Sequence, residues 1–405
     1  MSSDPEKYVP LPAPRRSGIG LCLSGGGYRA TLFHLGALRR LNELGILSRP
    51  EFRTITSVSG GSITAAALAA ALARMSLPAG GPIPEAAWNA EFRDPLRSFT
   101  RRNIRTGPFA RRLLPWNWLR ESTVVEALAR AYEQHLTPRR LSALPPRPSF
   151  LFCATDMAFG VNWIFSRERM GDYQAGYRTP PPDYPLGRAV AASSCFPPIF
   201  DPLPVEVNPA DLKGGRFPAG PRRDAIVAGM RLTDGGDYDN MGLEPVWKDH
   251  QTVLVSDAGG LFTEEGDRGL LWRIPRYQGI QERQTRALRK RWLLSSFLTG
   301  VMQGAYWGIG SAGERYGRPG GYSKDLARDV IAEIRTDLDA FSDAEAAVLE
   351  NHGYFLVEAA VQAHLPALVP TSAPPARPPH PGWLDEASVR EALADSGKRK
   401  PLGRF

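Results

Sequence analysis

The chain reads as an α/β protein in which a parallel sheet carries helices against its faces. Three observations predict this. A short apolar run, Ile19 to Ser24, ends in Gly25-Gly26-Gly27 and gives way to a helical stretch. A β-branched run, Thr54 to Val58, then leads through Gly60-Gly61 into an alanine-rich helix reaching about Arg74. Strand, glycine turn and helix, repeated in immediate succession, is the pattern of neighbouring parallel strands with helices packed across them. The third observation is bulk: 405 residues, 42% of them hydrophobic, can bury the core of one large α/β unit or of two ordinary ones.

Residues 1–16 contain no apolar h-region, so no signal peptide is read there, and the segment is taken as an N-terminal extension. Behind the first glycine turn, Leu32, Leu35, Leu38 and Leu41 recur at helical spacing, and Gly45 is placed to end that helix. Residues 76–85 form a loop by composition. From there to about Pro148 the chain is helical but irregular and rich in Arg, Trp and Pro, which predicts a helical insertion at about 76–148 in a core spanning 17–260. Strand-like segments return at Phe150–Ala154, Trp163–Phe165, Ile226–Leu232 and Thr252–Ser256, with 204–224 an exposed loop. Ser342 and Glu345 form a capping box opening a last long helix, within a helical region 261–365 expected to pack on the core. Residues 366–405 read as a Pro-rich linker and a mobile basic tail. No internal repeat is present.

Three scattered cysteines, Cys22, Cys153 and Cys195, are too few for a disulfide framework or a zinc site and fit a reducing compartment. A net charge of +8 and a pI near 9.5 suit an anionic partner, whether membrane, nucleic acid or phosphorylated ligand, and equally a basic surface kept for solubility. No nucleic-acid motif accompanies the charge, so no nucleic-acid partner is expected.

Ser59 lies in Thr56-Ser57-Val58-Ser59-Gly60-Gly61-Ser62, between strand and helix. A nucleophilic serine on such a tight turn needs small flanking residues, usually as G-x-S-x-G; here Ser57 stands at the first glycine position and Gly61 at the second. The competing reading is that Ser59 simply caps the next helix. Gly25, Gly26 and Gly27 open a helix with unobstructed backbone N–H groups, which suits an oxyanion hole. A phosphate-binding loop is the rival, but neither G-x-x-x-x-G-K-[ST] nor a clean G-x-G-x-x-G is present. Arg29 could steady this loop or meet an anionic headgroup. Asp234, before Gly235-Gly236 at the end of a strand-like run, can supply the base that a serine hydroxyl needs, although an Asp-Gly pair alone is usually a turn. Of the six histidines, none sits in a loop built around it, and His34 falls on the first helix.

The order of glycine-rich loop, S-x-S-G-G elbow and D-G-G resembles the patatin-like phospholipases. The similarity extends to Ala154-Thr155-Asp156, to Ala192 through Pro198, and to Asp239-Asn240-Met241-Gly242, covering roughly residues 17–260. The resemblance implies a three-layer α/β/α fold with a mostly parallel central sheet, and hydrolysis of glycerolipid acyl esters with no cofactor or metal. It also implies Ser59 as nucleophile, Asp234 as base and the backbone of Gly25, Gly26 and Gly27 as oxyanion hole. Ser57 is the one departure from the family's common elbow. Some bacterial relatives act in antiphage defence, triggered by cyclic nucleotides, so an activator site after Asp257 is the alternative expectation.

A lipid hydrolase must meet an interface, which implies a cytoplasmic enzyme attached peripherally to a membrane. Two segments could serve: Arg111–Arg120 with Trp116 and Trp118, and the uncharged run Trp292–Gly310. At 19 residues the second could also be a buried segment or, less readily, a spanning helix. Acyl position, headgroup and oligomeric state are not legible.

Overall fold

The two strand–glycine–helix units fold as their patterning demands. In the computed structural model, which describes residues 16–75, 77–78, 81–112, 122–181, 183–260, 266–400 and 403, Ile19–Leu23 (β1) pairs in parallel with Phe52–Val58 (β2). Each strand feeds its helix directly: Gly27–Glu43 (α1) after β1, Gly60–Leu72 (α2) after β2. Gly45, with φ of +68°, takes the left-handed conformation that ends α1, where a side chain would be strained.

Eight more strands complete one sheet among the described residues: Ser149–Asp156 (β3), Val161–Phe165 (β4), Met170–Asp172 (β5), Gly176–Arg178 (β6), Leu203–Pro204 (β7), Arg231–Asp234 (β8), Thr252–Asp257 (β9) and Gln303–Gly308 (β10). Strands β10, β9, β1, β2 and β3 run side by side in parallel, and β4, β5 and β6 extend the sheet as an antiparallel meander. Strand β8 pairs antiparallel with the last three residues of β3 and with β7. The other principal helices are Thr123–His135 (α3), Leu186–Ser194 (α4), Leu270–Leu298 (α5) and Asp343–His364 (α6).

The period-2 alternation of β1 sorts its side chains between two layers. Leu21 and Leu23 join the main core with Leu32, Leu35 and Leu38 of α1 and Val348 and Val357 of α6. Cys22 points the other way, with Val253 and Val255 of β9, into a smaller cluster closed by Met241, Val246 and Leu293 of α5. Helices therefore cover both faces of the sheet, as the fold class required. All three cysteines are free and buried, and burial pushes each thiol's pKa up, away from reactivity.

Several expectations are revised. Ile226–Leu232, read as strand for its branched residues, begins in a helix and becomes strand only at Arg231. Pro221 opens a helix Pro221–Ala228 after Gly220, and only Arg231–Asp234 pairs in the sheet. The uncharged run 292–310 is not one element. It holds the end of α5, a turn at Gly300 (φ +72°) and edge strand β10. No helix among the described residues is long and apolar enough to cross a membrane. Residues 366–400, expected as a linker, lie along the molecule. Pro374 O accepts from Arg40 at 2.9 Å, His380 and Asn351 exchange two hydrogen bonds, and Val389 and Leu393 are buried. The Ser342–Glu345 capping box is formed. The Trp116 and Trp118 segment falls largely outside the described residues.

The ends of β3 and β5 bring two buried carboxyls together. Asp156 Oδ1 accepts from Ala158 N, and Asp172 Oδ1 from Gln174 N and Ala175 N, each at 2.7 Å. Both Oδ2 atoms are buried with no other partner, the arrangement of two acids sharing a proton. Burial raises both pKa values, that of Asp172 to about 7. The folded state thus keeps a proton that the unfolded chain releases near pH 4, so this contribution to stability is lost as pH rises through about 7. Asp172→Asn, which can donate to Asp156 as the protonated acid does, is expected to be about 1–3 kcal/mol more stable than the parent at pH 8. The gap should close below pH 4, as read from urea midpoints at the two pH values.

Candidate active site

The turn after β2 is strained. Ser59 has φ 50° and ψ −117°, and it is one of two non-glycine residues with positive φ among those described. Such a conformation costs on the order of 1–3 kcal/mol and persists only where the surroundings hold it. Here they do. A Cβ on Gly60 would run into the Gly27 carbonyl, and one on Gly61 into that of Leu23, so only glycine lets the elbow press against the first glycine loop. Although Ser59 occupies the N-cap position of α2, its side chain makes no capping bond, which leaves the hydroxyl for other work.

Ser57, standing where the motif usually has glycine, belongs to a hydroxyl cluster beneath the elbow. Ser62 Oγ lies 3.0 Å from Ser57 Oγ and 2.8 Å from Ser193 Oγ, and Ser193 Oγ donates to Cys153 O at 2.6 Å. Ser193, on α4, also clasps both halves of the site. Its carbonyl accepts from Ser59 N at 3.1 Å and from Gly235 N at 3.2 Å.

Asp234 reaches Ser59 through the sheet. Strand β4 occupies one edge of β3 while β2 and β8 share the other. Val58 is paired with Cys153, and Asp234 with Ala154, the next residue, so β2 and β8 approach end to end. Thr155 Oγ1 fixes the Asp234 carbonyl at 2.8 Å. Of the carboxylate, Oδ1 accepts from Gly236 N at 2.7 Å, while the buried Oδ2 has no settled hydrogen-bond partner. Burial pushes the Asp234 pKa up to about 8, with the charge of Asp237 adding to the rise. The Gly236 N–H and the Ser59 hydroxyl pull it back. A serine and a carboxyl poised near neutrality thus stand together in a nearly closed site.

The glycine loop completes the arrangement. A Cβ on Gly25 would lie 3.2 Å from Ser59 Cβ, so this position must stay bare. Its N–H, however, donates to Asn240 O at 3.0 Å. Of the three amides expected in an oxyanion hole, those of Gly26 and Gly27 are the ones without a partner among the described residues. Arg29 is a correction. Rather than meeting a headgroup, its buried guanidinium donates to the carbonyls of Ala332, Ile334 and Ala258 at 2.7–3.0 Å, which ties α1 to the 332–334 loop and the end of β9.

No histidine bonds to Ser59 or Asp234 among the described residues. His34 is buried between Ser256 Oγ and Ser24 O, and burial lowers its pKa to about 4. His352 is likewise buried, lowered to about 4 and bonded to Ile309 O. The Asp239–Gly242 segment is scaffolding. Asp239 accepts from the amides of Met241, Leu243 and Glu244, and Gly242 O takes the Thr56 hydroxyl at 2.6 Å. Ser193 and Asn240 enter the sequence reading only through the family resemblance; both hold the site by backbone carbonyls, for which spacing carries no signal, and Ser193 by its hydroxyl as well.

A family model described as patatin-like phospholipase matches residues 21–247. No curated protein matches the chain. Among solved structures, one of human GIVD cytosolic phospholipase A2 with methyl gamma-linolenyl fluorophosphonate is 14% identical, covering 88% of this chain and 59% of that one, with a TM-score of 0.46. A second structure of that human protein is 15% identical over 60% of this chain and 45% of that one, with a TM-score of 0.36. VipD from Legionella pneumophila is 14% identical over 87% and 67%, with a TM-score of 0.35. The chain thus spans about half the length of the human phospholipase chains.

Proposed function

The chain belongs to the patatin-like phospholipase family, and from that premise we propose that it is a lipid hydrolase that cleaves acyl esters of membrane glycerolipids through a Ser59–Asp234 dyad. One observation carries the reading: a strained serine whose hydroxyl makes no cap sits beside a buried carboxylate whose Oδ2 has no settled partner. In this mechanism Asp234 takes the Ser59 proton as Oγ attacks the ester carbonyl. The amides of Gly26 and Gly27 hold the resulting oxyanion. Collapse expels the lysolipid alkoxide, which recovers the proton from Asp234, and leaves Ser59 acylated. A water then attacks the acyl carbon and gives its proton to Asp234, and collapse releases the fatty acid as Ser59 Oγ takes that proton back. A carboxyl with pKa near 8 is a stronger base than an ordinary aspartate, which narrows the gap to the serine hydroxyl.

The purified protein is expected to release fatty acid from phosphatidylglycerol/phosphatidylcholine vesicles. Failure to cleave both vesicles and a water-soluble ester, with or without added ligands, would overturn the reading.

A second reading, a hydrolase switched on by a small anion, draws support from a cavity of about 360 Å³. Arg102, Arg111, Arg130 and His135 line it, and among the described residues no carboxylate does. Tyr28, next to the glycine loop, donates to Arg102 O at its lip, which would couple an occupant to the oxyanion amides. Hydrolysis that needs a phosphorylated ligand such as a cyclic nucleotide would favour this version.

A further inference from the structure

Helix α5 turns one face to the sheet and leaves a second, apolar sector largely exposed, in which Trp292 packs edge-on against Trp247 with ring centroids 4.7 Å apart. At about 100° per residue, Arg286, Arg289, Leu293 and Phe297 share a sector of about 80° turned toward the sheet. Leu293 is buried in the smaller core cluster, with Phe297 packed against it. Leu270, Ile274, Tyr277, Leu288 and Trp292 fall in a second sector of about 60°, on the far side of the helix. These five side chains are between 39% and 73% exposed. Apolar side chains gathered on one exposed sector, in a patch toward each end of the helix with Gln281 between them, mark a surface made for something else.

The charge on this helix says what. Its 29 residues carry seven cations and one carboxylate, Glu282. Arg291, and Arg273 paired with Asp267, fall beside the stripe by the same helical count. Trp and Tyr within an apolar stripe rimmed by arginine suit the headgroup level of a bilayer. A second copy of the chain fits poorly, because a symmetric contact would bring the arginines that rim the stripe against their own copies.

The inner face also fixes where this surface stands relative to the chemistry. Arg286 pairs with Asp257 at 2.6 Å and donates to Gly260 O, and Arg289 pairs with Asp239 at 3.1 Å. Asp239 is followed by Asn240, whose carbonyl holds the amide of Gly25 beside Ser59. The stripe is therefore carried on a helix anchored to the rim of the catalytic site.

We propose that the outer face of α5 seats the protein on anionic phospholipid surfaces. This rests on the lipid-hydrolase reading, so it is tested by binding rather than turnover. Full-length Ser59→Ala protein, which leaves vesicles intact, would be floated with phosphatidylglycerol/phosphatidylcholine vesicles and with pure phosphatidylcholine vesicles. Binding at least about tenfold tighter to the anionic vesicles, and weakened by salt, is expected. Adding Ile274→Asp and Leu288→Asp should weaken it by about tenfold or more, and Arg291→Glu by about threefold or more, with melting temperature unchanged because these positions are exposed. Equal binding by the stripe variants, or no preference for anionic lipid, would overturn the proposal. So would a stripe variant that changes only the oligomeric state in light scattering, since a second copy would then be the occupant.

Discussion

Ser59→Ala is expected to lower kcat/KM for phospholipid hydrolysis by about 10⁴-fold or more, to the level left by binding and oxyanion stabilisation alone. Its fold should survive, because the hydroxyl makes no capping bond and the backbone contacts of the elbow run through N–H and glycine. Melting within a few degrees of the parent, with fatty acid release gone, is the expected pair of results. Alanine does not relieve the positive φ, so no large gain in stability should accompany the loss. Hydrolysis persisting in this variant would remove Ser59 as nucleophile whatever else the site does.

Asp234→Asn should cost about 10³- to 10⁴-fold in kcat/KM, and its pH dependence separates the role of base from that of scaffold. In the parent, activity requires the ionised carboxylate, so kcat/KM should climb with pH and level off above about 8. The asparagine variant should lose that inflection. Stability moves the other way. The native carboxyl keeps its proton to about pH 8, whereas the unfolded one releases it near 4, so the stability it contributes is complete below pH 4 and is lost as pH rises through 8. The inactive variant should therefore unfold at higher denaturant than the parent at pH 9, by about 2–4 kcal/mol, with Gly236 N still satisfied by the amide oxygen. A parent profile with no inflection near 8 would remove Asp234 as the base.

What the sequence made legible is local. Leucines at helical spacing gave α1, Ser342 with Glu345 gave the start of α6, and glycines flanking Ser59 and following Asp234 marked the turns, because each depends on residues a few positions apart. What it hid depends on distant partners. Arg29 looked available for an anionic headgroup, yet its carbonyl partners Ala332 and Ile334 lie some 300 residues downstream. Nothing near Gly25 shows that the carbonyl of Asn240 will claim its amide. Branched residues at Ile226 and Val227 favoured a strand, while Gly220-Pro221 starts a helix that turns Val227 into the core. In the run 292–310, lack of charge concealed a change from helical to extended period at Gly300, and with it the second face of α5.

The end-to-end approach of β2 and β8 along one edge of β3 has a consequence for how the chain comes to life. Neither strand pairs with the other, so the distance between nucleophile and base is set by how far each has zipped along a shared template and by the Ser193 carbonyl that holds both ends. A slip of β8 by one residue would turn the Asp234 side chain to the opposite face of the sheet. Catalytic competence thus depends on a non-local pairing, a slow kind of event in folding. A misregistered chain would be silent as an enzyme.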